Sequence, residues 1–126
     1  MRTLASTVFI ALLVLTTNIY AEGVNRAVFT TAIQDREPVD QIAVIDSNTL
    51  QNVTFFTELT DLKDHSITHQ WIYDNQLMYE KTFEIGSNRW RVWSSKSFLP
   101  TWTGEWTVKV LNEDFVVLES VTIMMQ

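Results

Sequence analysis

Beyond residue 23 the chain alternates apolar and polar positions with a period of two, and a helical period of 3.6 is hard to find. The first such run is Val24 to Ile33, which stops at Asp35-Arg36-Glu37-Pro38. Val39 to Leu50 is ambiguous: Ile42-Ala43-Val44-Ile45 reads as a short strand or a buried turn, and Asp46-Ser47-Asn48 as a loop. Val53 to Leu59 alternates well, with Val53, Phe55, Thr57 and Leu59 on one face. After a polar loop, Ile67 to Tyr73 aligns Ile67, His69, Trp71 and Tyr73. Asp74-Asn75 then separates it from Gln76 to Ile85, a spacing that predicts a tight hairpin. Gly86-Ser87-Asn88 turns the chain into Arg89 to Ser95. Gly104 to Val110 is the clearest strand, and Asn112-Glu113-Asp114 closes a last hairpin into Phe115 to Met124.

About seven strands at a spacing of roughly eight to twelve residues, joined by short turns, predict an all-β antiparallel sandwich. A tryptophan in the third strand and a Gly-x-Trp-x-Val-x-Val penultimate strand suit an immunoglobulin-like topology, with a small open barrel as the alternative.

The first 21 residues have another character. Arg2 supplies a positive flank, Val8 to Leu15 is continuously apolar, and Thr16-Thr17-Asn18 leads to Ile19-Tyr20-Ala21. This is the layout of a signal peptide cut after about Ala21, although Ile19 stands where a small residue is usual. The competing reading, an uncleaved anchor, needs about 20 apolar residues, and this run breaks sooner. The expected organisation is a signal peptide over 1–21 and one domain over 22–126, periplasmic or secreted, with no transmembrane segment in the mature chain.

Charge narrows the partners. The chain carries −6, and loss of Arg2 makes it −7, so phosphate backbones and anionic membranes are disfavoured. The absence of cysteine excludes disulfides, thiolate metal sites, thiol catalysis and a lipid-modified cysteine. Asn52-Val53-Thr54 is a glycosylation sequon, a triplet frequent by chance.

Six ordered blocks resemble a bacterial family known as domain of unknown function 2914. They are Arg26-Ala27-Val28-Phe29-Thr30-Thr31, Asp35-Arg36-Glu37-Pro38-Val39-Asp40, Phe55-Phe56-Thr57-Glu58-Leu59, Thr68-His69-Gln70-Trp71, Arg89 to Lys96, and Trp102 to Val108. The resemblance runs from about residue 24 to residue 123. It implies a bacterial source and an envelope-associated β domain, and it carries no established activity. One departure is the Asn112-Glu113-Asp114-Phe115 turn, which lacks the glycine expected there.

Candidate chemistry is sparse. His65 and His69 are four apart, which on a strand separates their Cα atoms by roughly 13 Å, too far for one metal, and a zinc site needs three or four ligands. No nucleophile elbow is present, and neither histidine has a recognisable serine partner. His69 reads as hydrogen-bonded and half-buried. Glu37, Glu58, Glu80, Glu84 and Glu105 offer carboxylates for glycoside hydrolysis, but acids of this kind also serve solubility. No catalytic residues, metal ligands or cofactor are expected.

The tryptophan and arginine content is more informative. Trp90, Trp93, Trp102 and Trp106 lie close in sequence, interleaved with Arg89 and Arg91. On a strand Trp90 and Val92 face one way, and Arg89, Arg91 and Trp93 the other. Trp106, Val108 and Val110 align as core; Trp102 sits in a turn. Either all five tryptophans pack the sandwich, or Trp93 and Trp102 join an exposed platform with arginine. Pro38 fixes a rigid bend beside Arg36, which either anchors a ligand carboxylate or pairs with Asp40 or Glu58 in the domain. Arg36, Arg91, Trp93 and Trp102 are therefore the candidate binding residues. The expected function is an exported, non-catalytic interaction module binding an unidentified envelope protein, or alternatively a carbohydrate- or peptidoglycan-binding module. A hydrolase with two acids converging in a cleft is a third reading.

Overall fold

A computed structural model describes residues 22–126, so the signal-peptide expectation lies outside the described residues. Ten strands follow in order: β1 Val24–Thr30, β2 Ile33–Gln34, β3 Glu37–Pro38, β4 Val44–Ile45, β5 Asn52–Thr60, β6 Ser66–Tyr73, β7 Gln76–Glu84, β8 Arg89–Ser97, β9 Gly104–Leu111 and β10 Val117–Met125. Seven of them are seven residues or longer, and these correspond to the runs of alternating sequence. The first run divides: β1 ends at Thr30, and the chain then folds into the small β2–β3 hairpin. The ambiguous Ile42–Ile45 segment contributes only Val44 and Ile45, paired parallel to Met124 and Met125.

The strands form two large sheets, one ordered β1-β5-β8 and the other β4-β10-β9-β6-β7. Long strands pair antiparallel, and the sheets are separate, which makes a sandwich and not a barrel. In immunoglobulin terms β1, β5 and β8 occupy places A, B and E, while β6, β7, β9 and β10 occupy C, C′, F and G. Strand D, which in a constant-type domain lies beside E, has no counterpart: the chain passes from β7 directly into β8.

Trp71 on β6 is fully buried at the centre and meets Phe29, Phe55 and Phe98 edge-on. Trp106 lies near the start of β9, two residues before Val108, and its Nε1–H donates to the Trp102 carbonyl at 3.0 Å. This backward bond from the start of strand F is the contact that a tyrosine hydroxyl makes in the tyrosine corner of immunoglobulin-like domains. Tyr73 stacks on Trp106, with ring centroids 4.7 Å apart.

Several turns carry side chains in the left-handed region that favours glycine, and in two of them the residue is one that rarely adopts it. Asp35 and Arg36, at φ 52° and 63°, form the tip between β2 and β3. Phe115 has φ 60° and is 71% exposed. The missing glycine of the last hairpin is thus replaced by a phenylalanine in the strained position. Asn112 compensates: its Oδ1 accepts the backbone N–H groups of Asp114 and Val116 at 2.9 and 3.0 Å.

Candidate functional site

Period two predicts one buried face for β5, yet Val53 through Leu59 are all buried. The inner set, Val53, Phe55, Thr57 and Leu59, faces the other sheet. The outer set, Thr54, Phe56 and Glu58, is covered by long side chains from both flanking strands and by the β2–β3 hairpin.

Glu58 organises this cover. It is 2% exposed, and its carboxylate accepts hydrogen bonds from Arg26 Nε at 2.9 Å, Arg89 Nε at 2.7 Å and Asn25 Nδ2 at 2.7 Å. Burial by itself would raise its pKa; the bonds from Arg89, Arg26 and Asn25 outweigh that and hold it at about 2. Glu37, on the hairpin, receives both terminal nitrogens of Arg26 at 2.8 Å and Arg91 Nη1 at 2.7 Å. Bonding to Arg26 first, and then to Arg91, lowers its pKa to about 2. Arg26 also lies 4.9 Å over the Phe56 ring, and Trp93 stacks on Phe56 with an interplanar angle of 16°.

The internal carboxylate clamp is therefore made by Arg26, not by Arg36. Asp40, the other partner considered for Arg36, is held by the Thr30 and Thr31 hydroxyls at 2.6 and 2.7 Å. Among the described residues Arg36 forms no ion pair. Its guanidinium stands 5.9 Å from the Trp90 ring, above the start of β8.

The register of β8 confirms the two-faced reading. Trp90 and Val92 pair with Leu59 and Thr57, whereas Arg91 and Trp93 pair with Glu58 and Phe56 on the outer side. Arg91, Val92 and Trp93 line a shallow cleft of ≈250 Å³ with Lys81 and Phe83 of β7, where the open edges of the two sheets approach. Lys81 forms no ion pair among the described residues and sits 5.2 Å over the Phe83 ring. Three of the four candidate residues, Arg36, Arg91 and Trp93, thus gather around β8. Trp102 stands apart, against Trp106, with Lys96 Nζ 4.9 Å over its ring.

No tryptophan among the described residues is exposed: Trp71 and Trp106 are buried, and Trp90, Trp93 and Trp102 are half-buried. The acids that do converge, Glu37 and Glu58, are both spent on arginines.

Sequence reasoning passed over Arg26 and Lys81, and it gave Glu58 to Arg36 and not to Arg26 and Arg89. The available signal was Glu58 itself, a lone acid inside the apolar run Phe55–Leu59 that demands a cation opposite it.

His69 differs from its expectation in two respects: it is fully buried, and it has a serine partner. Its Nδ1 lies 2.8 Å from Ser94 Oγ and its Nε2 3.0 Å from Thr57 Oγ1. Trp71 Nε1–H donates to the same Ser94 oxygen at 2.9 Å, and the Thr57 hydroxyl donates to the Val92 carbonyl at 3.4 Å. One proton order satisfies every group: Trp71 to Ser94, Ser94 to Nδ1, Nε2–H to Thr57, and Thr57 to Val92. It requires a neutral imidazole, and burial, with Lys81 adding to it, lowers the His69 pKa to about 3. Ser94 is itself buried, so this is a brace between sheets and not a catalytic pair open to substrate.

The architecture defines an immunoglobulin-like β-sandwich, and it is shared with a solved structure. An immunoglobulin-like protein of Pseudomonas aeruginosa superposes with a TM-score of 0.59 over 86% of this chain and 98% of that one, at 12% identity. Residues 64–122 match the family described as protein of unknown function (DUF2914), the family that the six sequence blocks resemble. No curated protein matches the chain. No helix of the described residues is long and apolar enough to cross a membrane.

Proposed function

We propose that this domain is an exported, non-catalytic interaction module of the bacterial envelope, and that it recognises a protein through the surface around β8. The observation that carries this reading is Arg36. An arginine there adopts a backbone conformation suited to glycine, makes no ion pair among the described residues, and stands over Trp90, the residue that precedes Arg91 at the start of β8. Side chains that break a local folding rule without a folding gain are candidates for a role outside the fold.

The non-catalytic part rests on the acids and the histidine. Glu37 and Glu58 are held ionised at pKa values of about 2, unlike a general acid, and His69 and Ser94 are out of reach of substrate. The glycan alternative predicts a row of exposed tryptophans at sugar-ring spacing, and the half-buried Trp90, Trp93 and Trp102 favour it less.

Arg36→Gly separates the two roles. It should leave the domain as stable as the parent or more so, because glycine suits φ 63°. It should also cut capture of a discrete protein from cross-linked bacterial envelope, as should Arg91→Ala. Capture of glycan without protein would favour the alternative, and capture unchanged by either substitution would refute this surface.

A further inference from the structure

We propose that an extended, carboxylate-rich segment of the partner protein pairs with the free edge of β8 and completes its sheet as a fourth strand. This rests on the interaction-module reading above and assigns its ligand class and binding mode.

The sheet β1-β5-β8 ends at β8, a nine-residue strand whose far edge pairs with nothing among the described residues. That edge is where strand D lies in a constant-type immunoglobulin sheet, so the position next to β8 suits an added strand. Backbone pairing with such an edge supplies affinity, and flanking side chains supply selectivity.

The charge around β8 chooses the guest. β8 itself contains Arg89, Arg91 and Lys96 and no acid. Glu37 and Glu58 are shared among Arg26, Arg89 and Arg91, which leaves the cluster one positive charge in excess. Arg36 and Lys81 add two more at its border, and Asp35, beside Arg36 at the hairpin tip, takes one away. In a chain of net charge −6 this is a local reversal of sign. The other open edge, β7, has Glu80, Lys81 and Glu84 in mixed sign, the pattern of an edge guarded against pairing. A second copy of this chain is a poor guest, because two β8 edges would bring cations to cations.

The probe is a blocked octapeptide alternating glutamate with valine, titrated into 15N-labelled protein. Amide shifts and slowed solvent exchange should run along β8. Affinity should fall about tenfold between low and moderate salt. Lys81→Glu, at a side chain outside the ion-pair network, should weaken binding by about fivefold or more. Three results would overturn the proposal. One is equal binding by a backbone N-methylated version, which means charge attraction without strand pairing. Another is equal binding by a lysine–valine peptide or by an oligosaccharide of uronic acids. The third is no shift at millimolar peptide, or a self-associated protein whose β8 edge is already occupied. Those outcomes refute the strand-addition mode alone; the interaction-module reading falls only if envelope capture is indifferent to Arg36→Gly and Arg91→Ala.

Discussion

Acidification from about pH 7.5 to about pH 4.5 should destabilise this domain through one side chain, His69. In the unfolded chain a histidine takes up its proton near pH 6.5; in the folded domain burial holds His69 neutral down to about 3. The folded-state value is the lower one, so the contribution is complete above about 6.5 and is lost as pH falls toward 3. Each pH unit inside that window removes about 1.4 kcal/mol, so about 2–3 kcal/mol is gone by pH 4.5. That is a large part of the 5–15 kcal/mol typical of a domain. Glu37 and Glu58 add little here: with folded values of about 2 against an ordinary 4.5, their contribution persists above 4.5 and is lost below it. Urea unfolding across this range, read by tryptophan fluorescence in a His65→Gln background, isolates His69, since the chain has only two histidines. His69→Gln should be less stable at neutral pH and have a flatter profile. A parent profile flat to within about 0.5 kcal/mol, or an unchanged slope in His69→Gln, would refute both the buried neutral imidazole and the proton order that satisfies it.

Other expectations concern single sites. Glu58→Gln weakens three hydrogen bonds to a carboxylate that is almost fully buried; with Arg89 73% exposed and screened, a loss of about 2 kcal/mol in chemical denaturation is expected. Phe115→Gly should stabilise the domain by about 0.5–1 kcal/mol, seen as a Tm higher by a few degrees, because it relieves a left-handed phenylalanine. Trp106→Phe removes the bond to the Trp102 carbonyl and should cost about 1–2 kcal/mol with an unchanged denaturant slope.

The strands were legible because seven of them alternate, and because Asp74-Asn75 supplies the left-handed residues of a two-residue hairpin turn. Ile42–Ile45 was not, because only Val44 and Ile45 pair, and they do so with β10 at the far end of the sequence. The same limit explains Arg26. Nothing local ties it to Glu58, 32 positions away, whereas Arg36 stands close to Asp40 in sequence and attracts the assignment. The face shared by Arg91 and Trp93 follows from periodicity; their company, Glu37 and Lys81, depends on how a hairpin and a second sheet fold over it. His69 was read as half-buried because a polar residue on an apolar face normally keeps one side in water. Here Thr57 and Ser94, from the opposite sheet, satisfy both nitrogens.

The centre of the sandwich also bears on where this chain can mature. Antibody-type domains join strands B and F by a disulfide packed on the strand-C tryptophan. Here that place is filled by Phe55, Trp71 and Val108, with the Trp106–Trp102 bond fixing the start of the F strand. With no cysteine in the sequence, the folded state has no thiol to oxidise, mispair or reduce. Thiol–disulfide exchange in its surroundings therefore does not bear on its stability, and folding waits on no thiol oxidase or disulfide isomerase. The composition of the core thus sets no thiol-redox condition on the compartment in which the sandwich folds.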